Sequence, residues 1–382
     1  MPLHPKSREF SGSGLFSGLT SFEDLEDRIA ALPSNQLKGE AFEVFAEAYL
    51  CTQRKHDAQQ VWPLSTIPLE LLGKLGLGSA DYGVDGVFKT LLGDHSAYQV
   101  KFRTGRAAMT WRELSTFMGL ADSPHIRSRI LITNCDELPA VINQRQGFFC
   151  IRGSDLDRLN ASDFQAIEAW LAEATIQTPK KKPRPHQEEA LAAIVPTLHK
   201  DRRATAIMAC GTGKTLVALW TMEQLGARKV LVLLPSLALL RQTLHEWLKE
   251  TSLDSLAYLC VCSDPTVKGD ADEINTVQAD LDFEVSTDPA VVRRFLDTPF
   301  DGTKIVLSTY QSASVVGSAL QNGETFDLGV FDEAHKTAGR EGRSYCKEIA
   351  FLAGSRETVG ERIRAGGERG SGLSRRSWLL RA

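Results

Sequence analysis

Apolar and polar positions change their period several times along the chain, and those changes predict its elements. From Thr20 to Leu32, TSFEDLEDRIAAL opens with a capping-type hydroxyl and repeats apolar residues at helical spacing. QLKGEAFEVFAEAYLCTQ predicts a second amphipathic helix, with Phe42, Phe45, Ala46 and Tyr49 on one face. GVDGVFKTLLG and AYQVKFR then alternate with period two around a turn at Gly93-Asp94, which predicts a β-hairpin. A helix over Thr110–Ala121, buried strands at Arg129–Cys135 and Phe148–Gly153, and a polar helix from Asp155 to Ala174 follow. This order fits a small α/β domain with a central mixed sheet.

TPKKKPRP, from Thr178 to Pro185, holds three prolines and four basic residues in eight positions and marks a linker. Beyond it strands and helices alternate: ATAIMAC, TLVALWTMEQLG, KVLVLLP, LALLRQTLHEWLKE, LAYLCVC, TKIVLSTY and LGVFDEAH. Alternating β and α predicts a parallel, doubly wound sheet. Residues 1–20, rich in Ser and Gly without a period, read as a flexible arm. The last 29 residues, Gly354–Ala382, contain six Gly, seven Arg and four Ser, and no strand or helix is expected there.

Composition narrows the class. A chain of 382 residues, 42% hydrophobic and 24% charged, has apolar material for two or three domains. No run of about 18 apolar residues suggests a membrane span, and no signal pattern opens the chain, so a cytoplasmic protein is expected. Seven scattered cysteines without a C-x-x-C pair argue against a structural metal or disulfide framework. A net charge of −4 excludes a histone-like coat on nucleic acid, although a local basic channel remains compatible.

The strongest chemistry is Met208-Ala-Cys-Gly-Thr-Gly-Lys-Thr215, which follows a strand and opens a helix. Glycines at Gly211 and Gly213 let the backbone N–H groups, with Thr212 between them, face phosphates at the helix N-terminus. Lys214 offers a point charge to the β- and γ-phosphates of ATP, and Thr215 a hydroxyl to Mg²⁺. In Gly329-Val-Phe-Asp332-Glu333-Ala334-His335 an apolar strand ends in two carboxylates. Asp332 is placed to hold Mg²⁺ through water, and Glu333 to polarise the attacking water.

This set resembles superfamily 2 helicases and translocases, especially the motor subunits of type I and III restriction enzymes, over about residues 181–350. Arg184-Pro-His-Gln187 resembles the adenine-reading segment, with Gln187 as the implied base contact. Leu234-Pro235-Ser236 with Leu239 and Gln242, and Ser308-Thr309-Tyr310-Gln311, resemble motifs implied to touch a nucleic-acid backbone. Met208 departs from the usual Ala or Gly of the phosphate loop, and His335 is implied to couple the site to a second lobe. Such motors carry a Ser-Ala-Thr or Thr-Ala-Thr motif after the acidic pair and a second lobe with arginines; neither is present. The expectation is a C-terminally truncated motor that binds ATP and hydrolyses it poorly.

In the first domain, Gln99 and Lys101 lie two apart on one strand and share a face, with Asp85 on the adjacent strand. A carboxylate, a neutral oxygen ligand and a lysine are the parts of metal-assisted phosphodiester hydrolysis, with Asp85 and Gln99 as metal ligands. The pattern resembles the Mrr-like branch of PD-(D/E)xK nucleases, in which Gln replaces an acidic residue, over about residues 36–152. That family adds a Glu from the first core helix. Glu40 and Glu43 are both available, and the Gly-x-x-aromatic-Glu pattern favours Glu43.

The expected fold class is α/β: a restriction-endonuclease-like domain followed by a RecA-like, parallel-sheet lobe. Its divisions are an arm and leading helix (1–35), the nuclease domain (36–152), a helical and basic linker (153–182), the ATP-binding lobe (183–353) and a low-complexity tail (354–382). The expected function is ATP-binding DNA restriction, with Mg²⁺-dependent cleavage of double-stranded DNA in the cytoplasm. Restriction-system subunits or a second copy are possible partners, and no membrane is involved. Two alternatives stay open: a helicase lobe with a non-cleaving DNA-binding domain, and an inactive fragment that binds ATP and DNA. Lys180–Lys182 read as a solvated linker, Trp111, Trp170 and Trp247 as core, and Asp270–Asp288 as a surface loop.

Overall fold

In a computed structural model the described residues are 1–77, 83–121, 123–139, 148–174, 180–201, 203–209, 211–262, 283, 285–321, 324–332 and 376–381. They form two compact units, the first spanning Met1–Pro179 and the second beginning at Lys180. Both are α/β. Among the described residues no helix is long and apolar enough to cross a membrane.

The first unit runs α1 (Ser7–Gly12), α2 (Phe22–Ala30), α3 (Asn35–Thr52), β1 (Ala58–Pro63), α4 (Leu69–Leu75), β2 (Gly86–Thr90), β3 (His95–Lys101), α5 (Trp111–Leu120), β4 (Ser128–Thr133), β5 (Phe148–Ile151), α6 (Gly153–Leu156) and α7 (Ala161–Leu171). Its sheet has the order β1-β2-β3-β4-β5, antiparallel through β3 and parallel beyond. Alternation along the strands sorts the core into two layers. Tyr98, Val100, Ile130 and Ile132 pack with Phe42, Phe45 and Tyr49 of α3. Ala97 and Leu131 pack on the other face with Leu114 and Phe117 of α5. The polar stretch after β5 is two helices, because Asn160 accepts the N–H of Ser162 and caps α7.

Residues 1–20 are not a flexible arm. They form α1 and a folded strap that buries Phe10, Leu15, Phe16 and Leu19 against the aromatic layer of α3. Their apolar positions have no regular period because Gly14 (φ +78°) and Gly18 (φ +65°) turn the chain between them. The Arg28 guanidinium holds those turns by donating to the carbonyls of Gly14, Leu15 and Ser17. This strap explains why α3 is buried nearly all round from Ala41 to Leu50.

The second unit runs α8 (Pro185–Lys200), β6 (Arg203–Ile207), α9 (Lys214–Leu225), β7 (Lys229–Leu234), α10 (Leu237–Glu250), β8 (Leu256–Val261), β9 (Val285–Ser286), α11 (Pro289–Asp297), β10 (Thr303–Thr309), α12 (Ala313–Ala319), β11 (Leu328–Phe331) and β12 (Arg376–Arg381). The sheet order is β6-β12-β11-β7-β10-β8-β9, and every pairing is parallel. KVLVLL and TKIVLST read as continuous apolar runs because helices cover both sheet faces.

The C-terminal tail also departs from expectation. Residues 376–381 form β12, a central strand whose backbone pairs Leu379 with Thr205 of β6 and with Phe331 of β11. RSWLLR is the one apolar run in a Gly/Arg/Ser background, short enough for a strand and too short to show a period. The lysines of the linker are tied to α10: Lys180 Nζ donates to the Lys249 carbonyl, and the Lys181 ammonium pairs with Glu246 and Glu250. The acidic stretch lies outside the described residues up to Asp282.

Candidate functional site

In the first unit Asp85 immediately precedes β2 and is held by three backbone contacts. Its N–H donates to the Tyr98 carbonyl (2.9 Å), and its carbonyl accepts from the Leu64 N–H (2.9 Å). Its carboxylate Oδ2 accepts the Val100 N–H at 2.6 Å. Val100 lies between Gln99 and Lys101, so the structure brings Asp85 to the stretch of β3 that carries both predicted partners. Lys101 is half-buried at the end of that strand.

Gln99 faces the α5 layer and is 1% exposed. Gly83, at φ +95°, makes room for it: a Cβ there would stand 2.9 Å from Gln99 Nε2. The amide oxygen Oε1 is buried and has no hydrogen-bond partner among the described residues. An orphaned amide oxygen and a carboxylate are both hard-oxygen donors of the kind Mg²⁺ takes. No group of three His, Cys, Asp or Glu side chains gathers among the described residues. A cation here would therefore keep several waters or take substrate phosphate oxygens, as Mg²⁺ commonly does.

Glu43 stands apart from this trio. It projects from α3, in the layer of Tyr98 rather than that of Gln99, and its contact is His4 Nε2 at 3.2 Å. Glu43 and Asp85 each act electrostatically on Tyr98. Burial pushes that phenol well above its usual range, and the carboxylates of Glu47, Asp85 and Glu43 add to the shift. Glu40 instead accepts from Gln36 on the exposed side of the helix.

The sequence reading missed His4 and Glu47. Glu47 is 1% exposed and accepts the N–H groups of Leu3 (2.6 Å) and His4 (3.0 Å), which pins the strap to α3. His4 Nδ1 accepts the Lys6 N–H, so Nε2 carries the ring proton and donates it to Glu43. The available signal was a carboxylate on the apolar face of α3, one turn after Glu43.

In the second unit the phosphate loop leaves β6 at its C-terminal end. Gly211 (φ +76°) and Gly213 (φ +81°) both occupy the left-handed region that only glycine adopts readily, and Gly213 caps α9. Thr212 Oγ1 donates back to the Ala209 carbonyl (2.7 Å). Lys214 and Thr215 open α9, and the indole N–H of buried Trp247 donates to the Thr215 carbonyl (2.9 Å). These glycines and the helix N-terminus fit a bound polyphosphate.

Gln187 lies on the loop. Its Oε1 accepts the Arg184 N–H (2.8 Å), and its Nε2 donates to the Thr212 carbonyl (2.9 Å). A Cβ on Gly213 would come within 2.4 Å of that Nε2. One amide proton and one lone pair of Gln187 remain for a base.

Asp332 follows β11, at the same C-terminal edge of the parallel sheet as the loop. Its N–H donates to the Leu233 carbonyl (3.0 Å), and its own carbonyl accepts from Tyr310 Oη (2.6 Å). Glu333, His335 and Cys210 lie outside the described residues. Of the two segments expected at nucleic acid, Ser236 caps α10 through the Leu239 N–H, and Gln242 is exposed. Ser308, Thr309 and Tyr310 turn inward, leaving Gln311 exposed.

Comparison with known proteins gives both units relatives. The family described as type III restriction enzyme, res subunit, matches residues 180–353, and a restriction endonuclease family matches residues 52–169. A probable helicase of African swine fever virus, in its Pretoriuskop isolate and its Badajoz strain, is 33% identical over 157 residues. That match covers 41% of this chain and 16% of the viral protein. The structure of the ATP-dependent Type ISP restriction-modification enzyme LlaBIII bound to DNA is similar with a TM-score of 0.67 and 26% identity. It covers 94% of this chain and 22% of LlaBIII, so the chain spans less than a quarter of that enzyme. The chain thus joins a restriction-endonuclease domain to a helicase domain of the type III res-subunit kind.

Proposed function

We propose that the first unit hydrolyses phosphodiester bonds of double-stranded DNA with Mg²⁺, and that the second binds MgATP and DNA. The observation that carries the nuclease reading is the Asp85 carboxylate, seated on the Val100 amide between Gln99 and Lys101. Asp85 and the orphaned Gln99 oxygen would hold the cation, and the Lys101 ammonium would stabilise charge on the attacked phosphate. Bound there, Mg²⁺ supplies a Lewis acid and lowers the pKa of a water. Glu43, oriented by His4, would join from the α3 side.

In the second unit Gly211, Thr212, Gly213 and Lys214 would cradle the phosphates of ATP, with Thr215 and Asp332 on its Mg²⁺ and Gln187 at the base. Glu333 would orient the attacking water. The resemblance implies ATP-driven translocation coupled to cleavage in an intact relative. Duplex DNA as substrate rests on likeness to the DNA-bound Type ISP enzyme, and foreign-DNA restriction in the cytoplasm follows from it by analogy.

A non-cleaving, DNA-binding first unit is the second reading, favoured because Asp85 is the sole carboxylate of the trio. Incubating the chain with supercoiled plasmid and Mg²⁺, with and without ATP, separates the two. Cleavage that disappears in Lys101→Ala and persists in Lys214→Ala supports the nuclease. Cleavage equal in Lys101→Ala and the parent, or none at all, supports the binding module.

A further inference from the structure

The segment after β10 divides its side chains between two directions. Ser308 Oγ donates to the Thr309 carbonyl (3.0 Å), and the hydroxyls of Thr309 and Ser312 lie 3.0 Å apart. Tyr310 Oη donates to the carbonyl of Asp332 at 2.6 Å. All four residues are buried, while Gln311 in their midst is exposed. A segment that resembles a nucleic-acid contact thus offers one outward polar side chain, and its neighbour reaches the backbone of Asp332.

The reach has a geometric basis. β10 and β11 flank β7, so the end of β11 lies two strand spacings from the end of β10, on the order of 10 Å. Serine and threonine are shorter than tyrosine by several ångströms, and phenylalanine has no donor for the carbonyl. Asp332 is fixed on its other side by β7, since its N–H donates to the Leu233 carbonyl. The sheet holds the N–H of Asp332, and a side chain from the loop holds its carbonyl.

We infer that Tyr310 is a positioning residue that couples nucleic acid at Gln311 to the backbone of Asp332, and so to the nucleotide site. This rests on the reading of the second unit as a site for MgATP and DNA. A shift of the loop when Gln311 engages a phosphate or base moves the Tyr310 hydroxyl and changes how Asp332 presents its carboxylate. Coupling of this kind is reciprocal, so nucleotide must change DNA affinity by the same factor.

The test measures binding of a fluorescent ADP analogue with Mg²⁺ to the full chain, with and without a short DNA duplex, and the reverse titration. The parent should show a coupling factor of about fivefold or more in both directions. Tyr310→Phe keeps the ring and loses the donor. It should bind each ligand alone within about twofold of the parent, with the coupling factor falling towards one. Gln311→Ala, a surface change that leaves folding intact, should lose the coupling together with part of the DNA affinity. Full coupling in Tyr310→Phe overturns the inference, as does a parent that binds both ligands independently. A chain that binds no MgADP overturns the nucleotide-site reading, and this inference falls with it.

Discussion

Adding one methyl group to Gly213 tests how the phosphate loop is built. The residue sits at φ +81°, where a non-glycine residue costs about 1 kcal/mol. Its new Cβ would also stand 2.4 Å from Gln187 Nε2, inside any permitted contact. The Gln187 amide, the end of a flexible side chain, must then swing away and give up the Nε2 bond to the Thr212 carbonyl, which contributes about 1 kcal/mol. Gly213→Ala should therefore weaken MgADP binding by about 2 kcal/mol, roughly thirtyfold. Gly211→Ala meets no side chain within 4 Å and should cost only the backbone portion, about 1 kcal/mol. A double-mutant cycle separates the contributions. In a Gln187→Ala background the clash is gone, so Gly213→Ala should cost only about 1 kcal/mol, a coupling of about 1 kcal/mol. Calorimetric or fluorescence titration of MgADP reads all four corners. Additive effects of Gly213→Ala and Gln187→Ala would refute the contact between loop and glutamine.

Two further predictions concern pH. Burial pushes the Asp57 carboxyl up to about 7, against the opposing pull of Arg127 and the Leu91 N–H. Its favourable contribution to stability is complete below pH 4 and lost as pH rises through 7; about 4 kcal/mol is the ceiling, and partial exposure halves it. Asp57→Asn, which also suits the left-handed φ of +53°, should gain about 1–3 kcal/mol on the parent between pH 5 and pH 8 in urea unfolding; a pH-independent difference contradicts this. The Arg293 guanidinium holds the Glu324 carboxyl down at about 2, so that pair stabilises above pH 4.5 and is lost as pH falls towards 2. Glu324→Gln should destabilise by about 1–3 kcal/mol at pH 7 and by much less near pH 2.5; equal loss at both values would show that the charge is not what matters.

Local pattern made much of this fold legible. The β2–β3 hairpin around Gly93-Asp94 and the apolar runs of β7 and β10 were readable because period and length were sufficient. What failed depended on partners distant in sequence. Phe10 and Phe16 have no period, and only the all-round burial of α3 reveals the strap that covers it. β12 is six residues inserted between strands far earlier in the chain, and no local signal specifies that slot. The same limit applies to the sites. The turn through Gly211 and Gly213 into α9 was legible because its residues are contiguous. The orphaned Gln99 oxygen, the inward Tyr310 hydroxyl and the His4–Glu43 pair are facts of three-dimensional direction.

On the proposed reading, Asp85, Gln99 and Lys101 form a metal-dependent hydrolytic site. Titrating Mn²⁺, a spectroscopic substitute for Mg²⁺, into the nucleotide-free chain tests it most directly beside Asp85→Asn. Asparagine keeps an oxygen for the Val100 amide, so the local fold is retained while the charge is removed. The parent should bind one ion in the first unit, with affinity at least about tenfold weaker in Asp85→Asn and an unchanged melting temperature. Equal affinity in the two proteins would contradict it.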